Sequence, residues 1–374
     1  MRNKQSEIEA VKKQTLKSKS PSFFFSIASG FIVFAILLAL LEGVSRSKYA
    51  SHIFPLRSVG SYHAQFEIKW FALQDFVKEN KGVDVVLIGN SMVNTGIDPV
   101  EFKDRYQQLS GQHLRVFNFG VDGLTIESLS VIAELINTHY HPGTIILFTE
   151  MRDYIAGNGS EVAKQFVNNR WMDYQRGIPS LEGYLIENSA LLKYLLPYRN
   201  WSNSDFLDSI RMEIYRKSGI TAQGYEADHN LEPFSPVIPD PADPAEQPKF
   251  KLAANFAIDP SRALNLQEVI SLNTTGTHII VTEMPVYPTY FVYFGPSSVR
   301  EKYLQDLAAL ILSAGGQFVP AVPEEKIPIG GRVDDHHLNY KGAPIYSELL
   351  ANQLFTACEQ ESTCLYPASP ENQP

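Results

Sequence analysis

Two segments at opposite ends of the chain contain the residue types that nucleophilic catalysis requires. Ser91 closes Gly89-Asn90-Ser91 after an apolar run, and Asp334 and His337 lie three residues apart near the C-terminus. A serine hydroxyl becomes a nucleophile when a histidine takes its proton and a carboxylate orients that histidine. A spacing of three brings two side chains to one face of a turn or helix. Asp334 can then hold the Nδ1–H of His337 and leave Nε2 free for Ser91.

Each segment also has an ordinary structural explanation. Ser91 could cap the following helix, and residues 334–337 could form a solvated loop. With Asp334 and His337 on one face, Asp335 and His336 are expected to point elsewhere. A metal site built from this cluster lacks a further set of ligands at suitable spacing. The sequence therefore predicts neither a metal nor an organic cofactor.

A glycine turn between the two segments supplies backbone donors. Asn118-Phe119-Gly120-Val121-Asp122-Gly123 follows an apolar run in the same way as Ser91 does. Glycine lets the backbone approach a ligand closely, and N–H groups at such turns can stabilise an oxyanion. A plain strand-to-helix turn would also favour glycine at this point.

Short apolar runs alternate with helical stretches from residue 83 onward. The predicted strands are Val83–Ile88, Leu114–Phe119, Thr144–Thr149, Thr277–Thr282 and the shorter Gln317–Val322. The predicted helices are Pro99–Leu109, Ile126–Thr138, Val299–Ala314 and Tyr340–Thr356. This alternation predicts an α/β fold, a three-layer αβα sandwich with a five-stranded, mainly parallel sheet. Ligands of such sheets bind beyond the carboxyl ends of the strands, where Ser91 is expected.

In this order the segments resemble the sequence blocks of the SGNH (GDSL-like) hydrolase superfamily. Gly89-Asn90-Ser91 is similar to its first block, Gly-Asp-Ser, and Asn118-x-Gly120-x-x-Gly123 to its second; Asp334-x-x-His337, continued by Leu338-Asn339, is similar to its last. The last block most resembles a membrane-associated branch that contains alginate O-acetyltransferase-like proteins and D-alanyl transfer proteins of the cell envelope. The resemblance implies a flavodoxin-like SGNH fold and catalytic roles for Ser91, His337 and Asp334. It also implies an oxyanion hole formed by the N–H groups of Ser91 and Gly120.

The third block of that superfamily, Gly-x-Asn-Asp, is altered in this chain. After the third strand the sequence is Thr149-Glu150-Met151-Arg152-Asp153, without the asparagine that completes the oxyanion hole. Arg152 is a candidate replacement donor, and the backbone N–H groups could also suffice. Loss of one such donor typically costs about 2.7–4 kcal/mol of transition-state stabilisation. The predicted site is therefore slow, specialised or differently completed.

An uncharged apolar run precedes the predicted domain. Phe23 to Leu41 contains no charged residue, and about 20 apolar residues suffice to span a bilayer as a helix. The basic residues before it are Arg2, Lys4, Lys12, Lys13, Lys17 and Lys19, against Glu7 and Glu9. The positive-inside rule therefore predicts a cytoplasmic N-terminus at 1–21, a transmembrane anchor at 22–44 and an extracytoplasmic domain. A cleaved signal peptide is the alternative, although the run is long and no small-x-small cleavage site follows it.

The extracytoplasmic part divides into a lead-in, a domain with an insertion, and a tail. Residues 45–82 are interpreted as a membrane-proximal lead-in, with a helix over Phe66–Val77. Residues 83–357 form the hydrolase-like domain, interrupted at 154–262 by an aromatic-rich and then proline-rich insertion. An insertion of this length is typical of a cap, a lid or a partner surface, and it could also be a structural embellishment.

Two helices are predicted inside the insertion, and two cysteines lie in the tail. The helices are Ser180–Leu196 and Asp205–Lys217. Cys358 and Cys364, the only cysteines of the chain, can form a local disulfide in an oxidising compartment. The polar residues after Cys364 are expected to be disordered.

The composition limits the classes of partner. A formal net charge of −9, with 20% charged residues, argues against nucleic acid, which requires clustered Lys and Arg. The predicted function is a membrane-anchored serine esterase or O-acyltransferase acting on acyl esters of an envelope or exported glycan. A membrane-embedded acyl-donor protein is a candidate partner. The alternatives are a membrane-anchored glycan-binding or assembly protein without turnover, and a lipase acting on membrane lipid.

Overall fold

One parallel sheet organises the chain. The computed structural model describes residues 23–159, 162–163, 169–230, 232–361 and 363–369, so the predicted cytoplasmic N-terminus lies outside the described residues. The strands are β1 (Val85–Gly89), β2 (Val116–Gly120), β3 (Thr144–Thr149), β4 (His278–Glu283) and β5 (Gln317–Val319). Their order is β2-β1-β3-β4-β5, and every neighbouring pair is parallel. The predicted α/β fold is confirmed, with a sheet that is parallel throughout.

Helices flank this sheet. The α-helices of the described residues are α1 (Phe23–Ser45), α2 (Ala50–Ile53), α3 (Ala64–Asn80), α4 (Ser91–Gly96), α5 (Pro99–Ser110), α6 (Ile126–Tyr140), α7 (Arg170–Gln175), α8 (Leu181–Asn188), α9 (Ala190–Leu195), α10 (Phe206–Gly219), α11 (Gln247–Ala253), α12 (Pro260–Ser271), α13 (Ser297–Ser313) and α14 (Gly342–Glu361). Helix α14 packs on α5, and α12 packs on α6. Every residue of β1, β2 and β3 is buried, as expected when helices cover both faces of a parallel sheet.

The lead-in is part of the folded domain. Phe66 and Leu73 of α3 are fully buried and Trp70 is nearly so, all within the main hydrophobic core. His63 precedes α3, and its Nε2 lies 3.2 Å from the carbonyl oxygen of Asp122, beyond the end of β2. The predicted domain boundary at residue 83 is therefore wrong, because it separates α3 from the core to which it belongs.

The first half of the insertion is helical, but its predicted long helix is broken. Ser189 ends α8 and caps α9, its side chain accepting a hydrogen bond from the N–H of Leu192. Because an N-capping serine has a non-helical backbone conformation, it ends the helix that precedes it. The single helix predicted over Ser180–Leu196 is therefore two.

The tail is ordered over residues 363–369. Leu365 and Ala368 are buried, and the N–H of Tyr366 donates to Oγ1 of Thr144 at 2.8 Å. The prediction of disorder immediately after Cys364 is therefore wrong, because this segment buries Leu365 and Ala368 and hydrogen-bonds to Thr144. A disulfide joins Cys358 to Cys364, the pair singled out in the sequence.

Helix α1 exposes its apolar side chains. It has 23 residues, and no other described part of the chain buries its apolar stretch. Its length and composition suffice to cross a membrane. It is therefore a candidate membrane anchor or signal sequence.

Candidate active site

Ser91 lies at the carboxyl end of β1, on the first residue of α4. The side chain of Asn90 caps this helix by accepting a hydrogen bond from the N–H of Met92 at 3.0 Å. Helix α4 approaches the sheet so closely that glycine is needed below it. A Cβ atom at Gly89 would lie 2.3 Å from Cγ2 of Val93, and one at Gly120 would lie 2.2 Å from the backbone nitrogen of Asn94. Gly89 and Gly120, at the ends of their strands, therefore allow the close packing of α4 that positions Ser91.

The turn that carries Asp334 and His337 is fixed at both ends. Arg332 and Leu338 form an antiparallel bridge across it. Buried Arg332 donates from Nη1 to the carbonyl oxygen of Pro285 at 3.0 Å. Asn339 then starts α14, its Oδ1 accepting from the N–H groups of Lys341 and Gly342. The last segment is thus anchored to the region after β4 and to α14.

The structure brings Ser91, His337 and Asp334 together in a linear relay. Ser91 Oγ lies 2.8 Å from His337 Nε2, and His337 Nδ1 lies 2.8 Å from Asp334 Oδ2. The other oxygen, Asp334 Oδ1, accepts from the backbone N–H groups of His336 and His337. These are hydrogen-bonding distances, and they match the arrangement that general-base activation of serine requires.

The electrostatics of the pair favour a charged Asp334 and a basic His337. Burial would raise the pKa of Asp334, but the hydrogen bond from His337 and the nearby imidazoles hold that pKa well below its usual range. Burial lowers the pKa of His337, yet the hydrogen bond and charge of Asp334 outweigh it and raise the pKa above 6.5. His337 is therefore a stronger base than a free imidazole.

A buried carboxylate lies beside the serine turn. Glu150 follows β3, and its Oε1 accepts from Asn90 Nδ2 at 3.0 Å and from Arg152 Nη2 at 2.8 Å. Its Oε2 accepts from Arg152 Nε at 3.1 Å and from the hydroxyl of Tyr290. Burial would raise the pKa of Glu150, but the charge and hydrogen bonds of Arg152 lower it. Glu150 is therefore a carboxylate that forms a bidentate ion pair with Arg152 and fixes its guanidinium.

The backbone N–H of Gly120 is not available to a substrate. It donates to the side-chain Oδ1 of Asn118 at 2.8 Å, and the Gly120 Cα faces the backbone of α4. Asn118 itself is fully buried and bridges to α4 through the carbonyl oxygen of Val93. The predicted role of Gly120 as an oxyanion donor is therefore wrong, and its role is close packing.

Gly123, three residues further on, has the properties expected of Gly120. It lines the same cavity as Ser91 and has a φ of 73°, which favours glycine. Among the described residues, neither the Gly123 N–H nor the Ser91 N–H donates a hydrogen bond. The insertion stabilises the turn that contains Gly123, because Arg216 of α10 forms an ion pair with Asp122.

A cavity of about 350 Å³ opens at this site. Its polar lining includes Ser91, Arg152, Asp335 and His336. Its apolar wall comes from four segments: Leu124, Ile155, Leu252 of α11, and Phe294. The cavity is therefore lined partly by the end of the insertion, which contributes to the site rather than lying apart from it.

Asp335 and His336 both face this cavity, so the prediction that they point elsewhere is wrong. Residues 333–336 form an irregular bend, in which consecutive side chains need not diverge as they do on a helix. The His336 ring centroid lies 4.1 Å from that of His337 and 5.8 Å from that of Tyr290. His336 Nδ1 lies 2.5 Å from Asp335 Oδ1.

Asp334, His336 and His337 also bring potential metal-ligating atoms within 4.8 Å of one another. The same atoms are engaged with neighbouring side chains, His337 with Asp334 and His336 with Asp335. A metal here would have to replace the hydrogen bond that orients His337. The expectation that the site works without a metal stays a prediction.

Three residues of the site had no functional role in the sequence interpretation: Glu150, Gly123 and Tyr290. Glu150 and Gly123 lie inside the segments singled out above, two and three residues from the positions chosen there. Tyr290 lies in an aromatic-rich run after β4 with no distinguishing spacing. Only the structure connects it to Glu150.

Comparisons with known proteins add little to this geometry. No family model matches the chain, and no curated protein matches it. A solved structure, provisionally described as a platelet activating factor from Streptococcus pneumonia, matches 76% of this chain and 93% of its own, at 12% identity and a TM-score of 0.33. A likeness of this degree supports no statement about function.

Proposed function

We propose that this protein is a serine esterase or O-acyltransferase that α1 tethers outside the cytoplasmic membrane. The observation that carries the proposal is the relay from Ser91 Oγ to His337 Nε2 and from His337 Nδ1 to Asp334 Oδ2, each step 2.8 Å long. A serine with this support can attack an ester carbonyl. Asp334 orients the imidazole and stabilises its charged form.

The reaction proceeds in two steps, acylation of Ser91 and deacylation of the acyl-enzyme. Ser91 Oγ bonds to the ester carbonyl carbon while its proton passes to His337 Nε2. The tetrahedral intermediate then collapses, the bond to the alcohol oxygen breaks, and the alcohol leaves with the proton from Nε2. Water (an esterase) or a sugar hydroxyl (a transferase) next attacks the acyl-enzyme and gives its proton to Nε2. Collapse frees Ser91, which takes that proton back.

The developing oxyanion is stabilised by donors that face the cavity. The N–H groups of Ser91 and Gly123 are the backbone candidates, since neither donates elsewhere among the described residues. Arg152 is the third candidate, because its guanidinium lines the cavity while Glu150 holds two of its nitrogens. A fixed cationic donor can replace a neutral amide in this role.

The resemblance to SGNH hydrolases supports the proposal, and two of the departures from it, at residues 90 and 150, contact each other. Asn90 replaces the aspartate of the first block, and Glu150 replaces the glycine of the third. Asn90 Nδ2 donates to Glu150 Oε1 at 3.0 Å; an aspartate at 90 would instead set two carboxylates against each other. The neutral amide at residue 90 therefore compensates for the carboxylate at residue 150, and the two changes together are compatible with turnover.

An envelope or exported glycan ester is the substrate class that we propose. The extracytoplasmic location expected from α1 and the resemblance to the envelope branch favour it. The partly aromatic cavity wall, with Phe294 and Tyr293, suits a sugar ring or a short acyl group. A membrane-embedded acyl donor is the partner that the transferase version requires.

One observation favours a binding protein without turnover. The third block lacks the asparagine that would complete the oxyanion hole, and Arg152 occupies its position. In that case the protein would hold a glycan for another enzyme. A lipase is distinguished from both by its preference for long acyl chains.

The test is turnover of activated esters by the full chain in detergent. We expect hydrolysis of p-nitrophenyl acetate, loss of about 10⁴-fold or more in kcat/KM on Ser91→Ala, and a decline in rate with acyl chain length. Ser313→Ala, an exposed serine at the end of α13, is the matched control and should retain activity. Glycan binding that survives both Ser91→Ala and His337→Ala, with no turnover by the unaltered protein, would establish the binding protein instead.

A further inference from the structure

A second, basic cavity begins where α1 ends. It has a volume of about 450 Å³ and starts at Ser45, the last residue of that helix. Its charged lining residues are the basic Arg46, Lys48, Arg57, Lys78 and Lys193 and the acidic Asp75 and Glu187. The cavity therefore has a positive excess, although the whole chain is acidic.

Two of these lysines carry uncompensated charge. Arg57 pairs with Asp75, and Lys193 Nζ lies 3.7 Å from Glu187 Oε2. Arg46 pairs with Glu42 on α1. None of the ion pairs found among the described residues includes Lys48 or Lys78, and both side chains are exposed.

The cavity is fixed to the end of α1 by hydrogen bonds. Glu42 accepts from the N–H groups of Ala190 and Leu191 and from the hydroxyl of Ser189, at 2.8 to 3.0 Å. These contacts hold the first turn of α9 beside the last turn of α1. The uncharged run of α1 ends at Leu41, about 6 Å along the helix axis before Ser45. If α1 crosses a bilayer, the cavity lies at the level of the headgroups.

Exposed aromatic and aliphatic side chains lie on the segments that follow α1 and α9. Tyr49 and Ile53 follow α1, and Trp201 follows α9; their exposed fractions are 63%, 62% and 75%. Phe54 links these segments, because its ring contacts those of Tyr194 and Tyr198. Tryptophan and tyrosine are enriched at the boundary between lipid and water, so this surface fits a bilayer interface.

We propose that the basic cavity binds the phosphate of an anionic phospholipid headgroup in the leaflet from which α1 emerges. The positive excess complements that phosphate, and clustered Lys and Arg next to a membrane helix attract anionic lipid. Continuity with α1 identifies the occupant as lipid of the same membrane. The inference depends on α1 crossing the membrane and is independent of the chemistry at Ser91.

The first test is a thermal-unfolding titration of the full chain in an uncharged detergent. A ligand that binds only the folded state raises the unfolding midpoint. We expect short-chain phosphatidylglycerol to raise it, with an effect that falls as salt increases, and phosphatidylcholine to leave it unchanged. In Lys48→Gln/Lys78→Gln the shift should disappear. Lys302→Gln/Lys326→Gln removes the same charge elsewhere and should keep the shift.

Three results of this titration would overturn the proposal. The first is an equal shift with phosphatidylcholine, and the second is an equal shift in the Lys48→Gln/Lys78→Gln variant. The third is an equal shift with inorganic phosphate at the same concentration, which would identify a site for free anions. Fluorophosphonate labelling of the same variant should be unchanged, since Ser91 and His337 are intact. The experiments can therefore refute the lipid-binding proposal without refuting the esterase proposal, and the reverse.

Trp201 offers a second measurement on unaltered protein. Trp70 and Trp171 are buried and Trp201 is exposed, so a contact quencher reports mainly on Trp201. In vesicles containing phosphatidylglycerol we expect quenching by lipids brominated near the headgroup and protection from aqueous iodide. Trp201→Phe should abolish the lipid quenching. Strong quenching by iodide with none by the brominated lipid would place the domain away from the bilayer and refute the proposal.

Discussion

At the scale of single residues, the site depends on charges that fix one another. Asp334 raises the basicity of His337, and Glu150 holds Arg152 at the cavity while Asn90 and Tyr290 satisfy its remaining oxygen positions. A buried carboxylate without such partners would be strongly destabilising. In the mechanism we propose, a cation that Glu150 already orients takes the place of a neutral oxyanion amide.

The pH dependence of turnover follows from His337. Only the neutral imidazole can accept the Ser91 proton, so kcat/KM should fall as pH decreases through the His337 pKa. Because that pKa is raised above 6.5, the acid limb should be half-maximal above pH 6.5. Asp334→Asn removes the charge that raises the pKa, so the limb should move to lower pH while kcat falls on the order of 10⁴-fold. A limb below pH 6.5 in the unaltered protein would contradict this assignment.

At the scale of secondary-structure elements, glycines at the strand ends and the insertion together determine the shape of the candidate site. Gly89 and Gly120 allow α4 to lie on the ends of β1 and β2. The insertion contributes Ile155 and Leu252 of α11 to the cavity wall, and Arg216 of α10 forms an ion pair with Asp122 at the neighbouring turn. Its role is therefore structural support and enclosure of the site.

The packing role of Gly120 can be measured directly. In Gly120→Ala the new methyl group would meet backbone atoms of Asn94 that cannot move cheaply. We expect the free energy of unfolding to fall by about 1–3 kcal/mol, measured by urea denaturation of the full chain in detergent. Gly219→Ala is the control, since a Cβ atom there meets nothing within 4 Å. Equal stability of the two variants would show that α4 lies further from β2.

The sequence predicted the strands and helices better than it predicted the geometry of the hydrogen-bond donors. Buried apolar runs such as Thr144–Thr149 identify strands because both faces of the sheet are covered. The choice between Gly120 and Gly123 depends on the Asn118 side chain, which takes the Gly120 N–H, and no local pattern reveals that contact. Likewise, helical spacing misplaced His336 because its segment is an irregular bend.

At the scale of the whole molecule, one exposed apolar helix, α1, is a candidate membrane anchor for the α/β domain. Helix α1 is linked to the domain by Glu42, which accepts three hydrogen bonds from the start of α9. The domain is thus held against the end of α1 rather than attached through a free linker. If α1 crosses a bilayer, as proposed, the candidate active-site cavity would keep a fixed orientation relative to that bilayer.

The redox state of the two cysteines reports on which side of the membrane the domain lies. An extracytoplasmic compartment is oxidising, so Cys358 and Cys364 should be joined there. In protein trapped from intact cells, a maleimide of high mass should add to neither cysteine before reduction and to both afterwards. Because the chain has only these two cysteines, the shift is unambiguous. Labelling without reduction would indicate a cytoplasmic domain.

The central claim is that Ser91 is a nucleophile activated by His337, and covalent trapping tests it most directly. The full chain is treated with a fluorophosphonate, digested, and the modified peptide identified by mass spectrometry. We predict a single adduct on Ser91 that is abolished by Ser91→Ala and strongly slowed by His337→Ala. Folded protein that takes up no probe, or that is labelled equally after Ser91→Ala, would contradict the account.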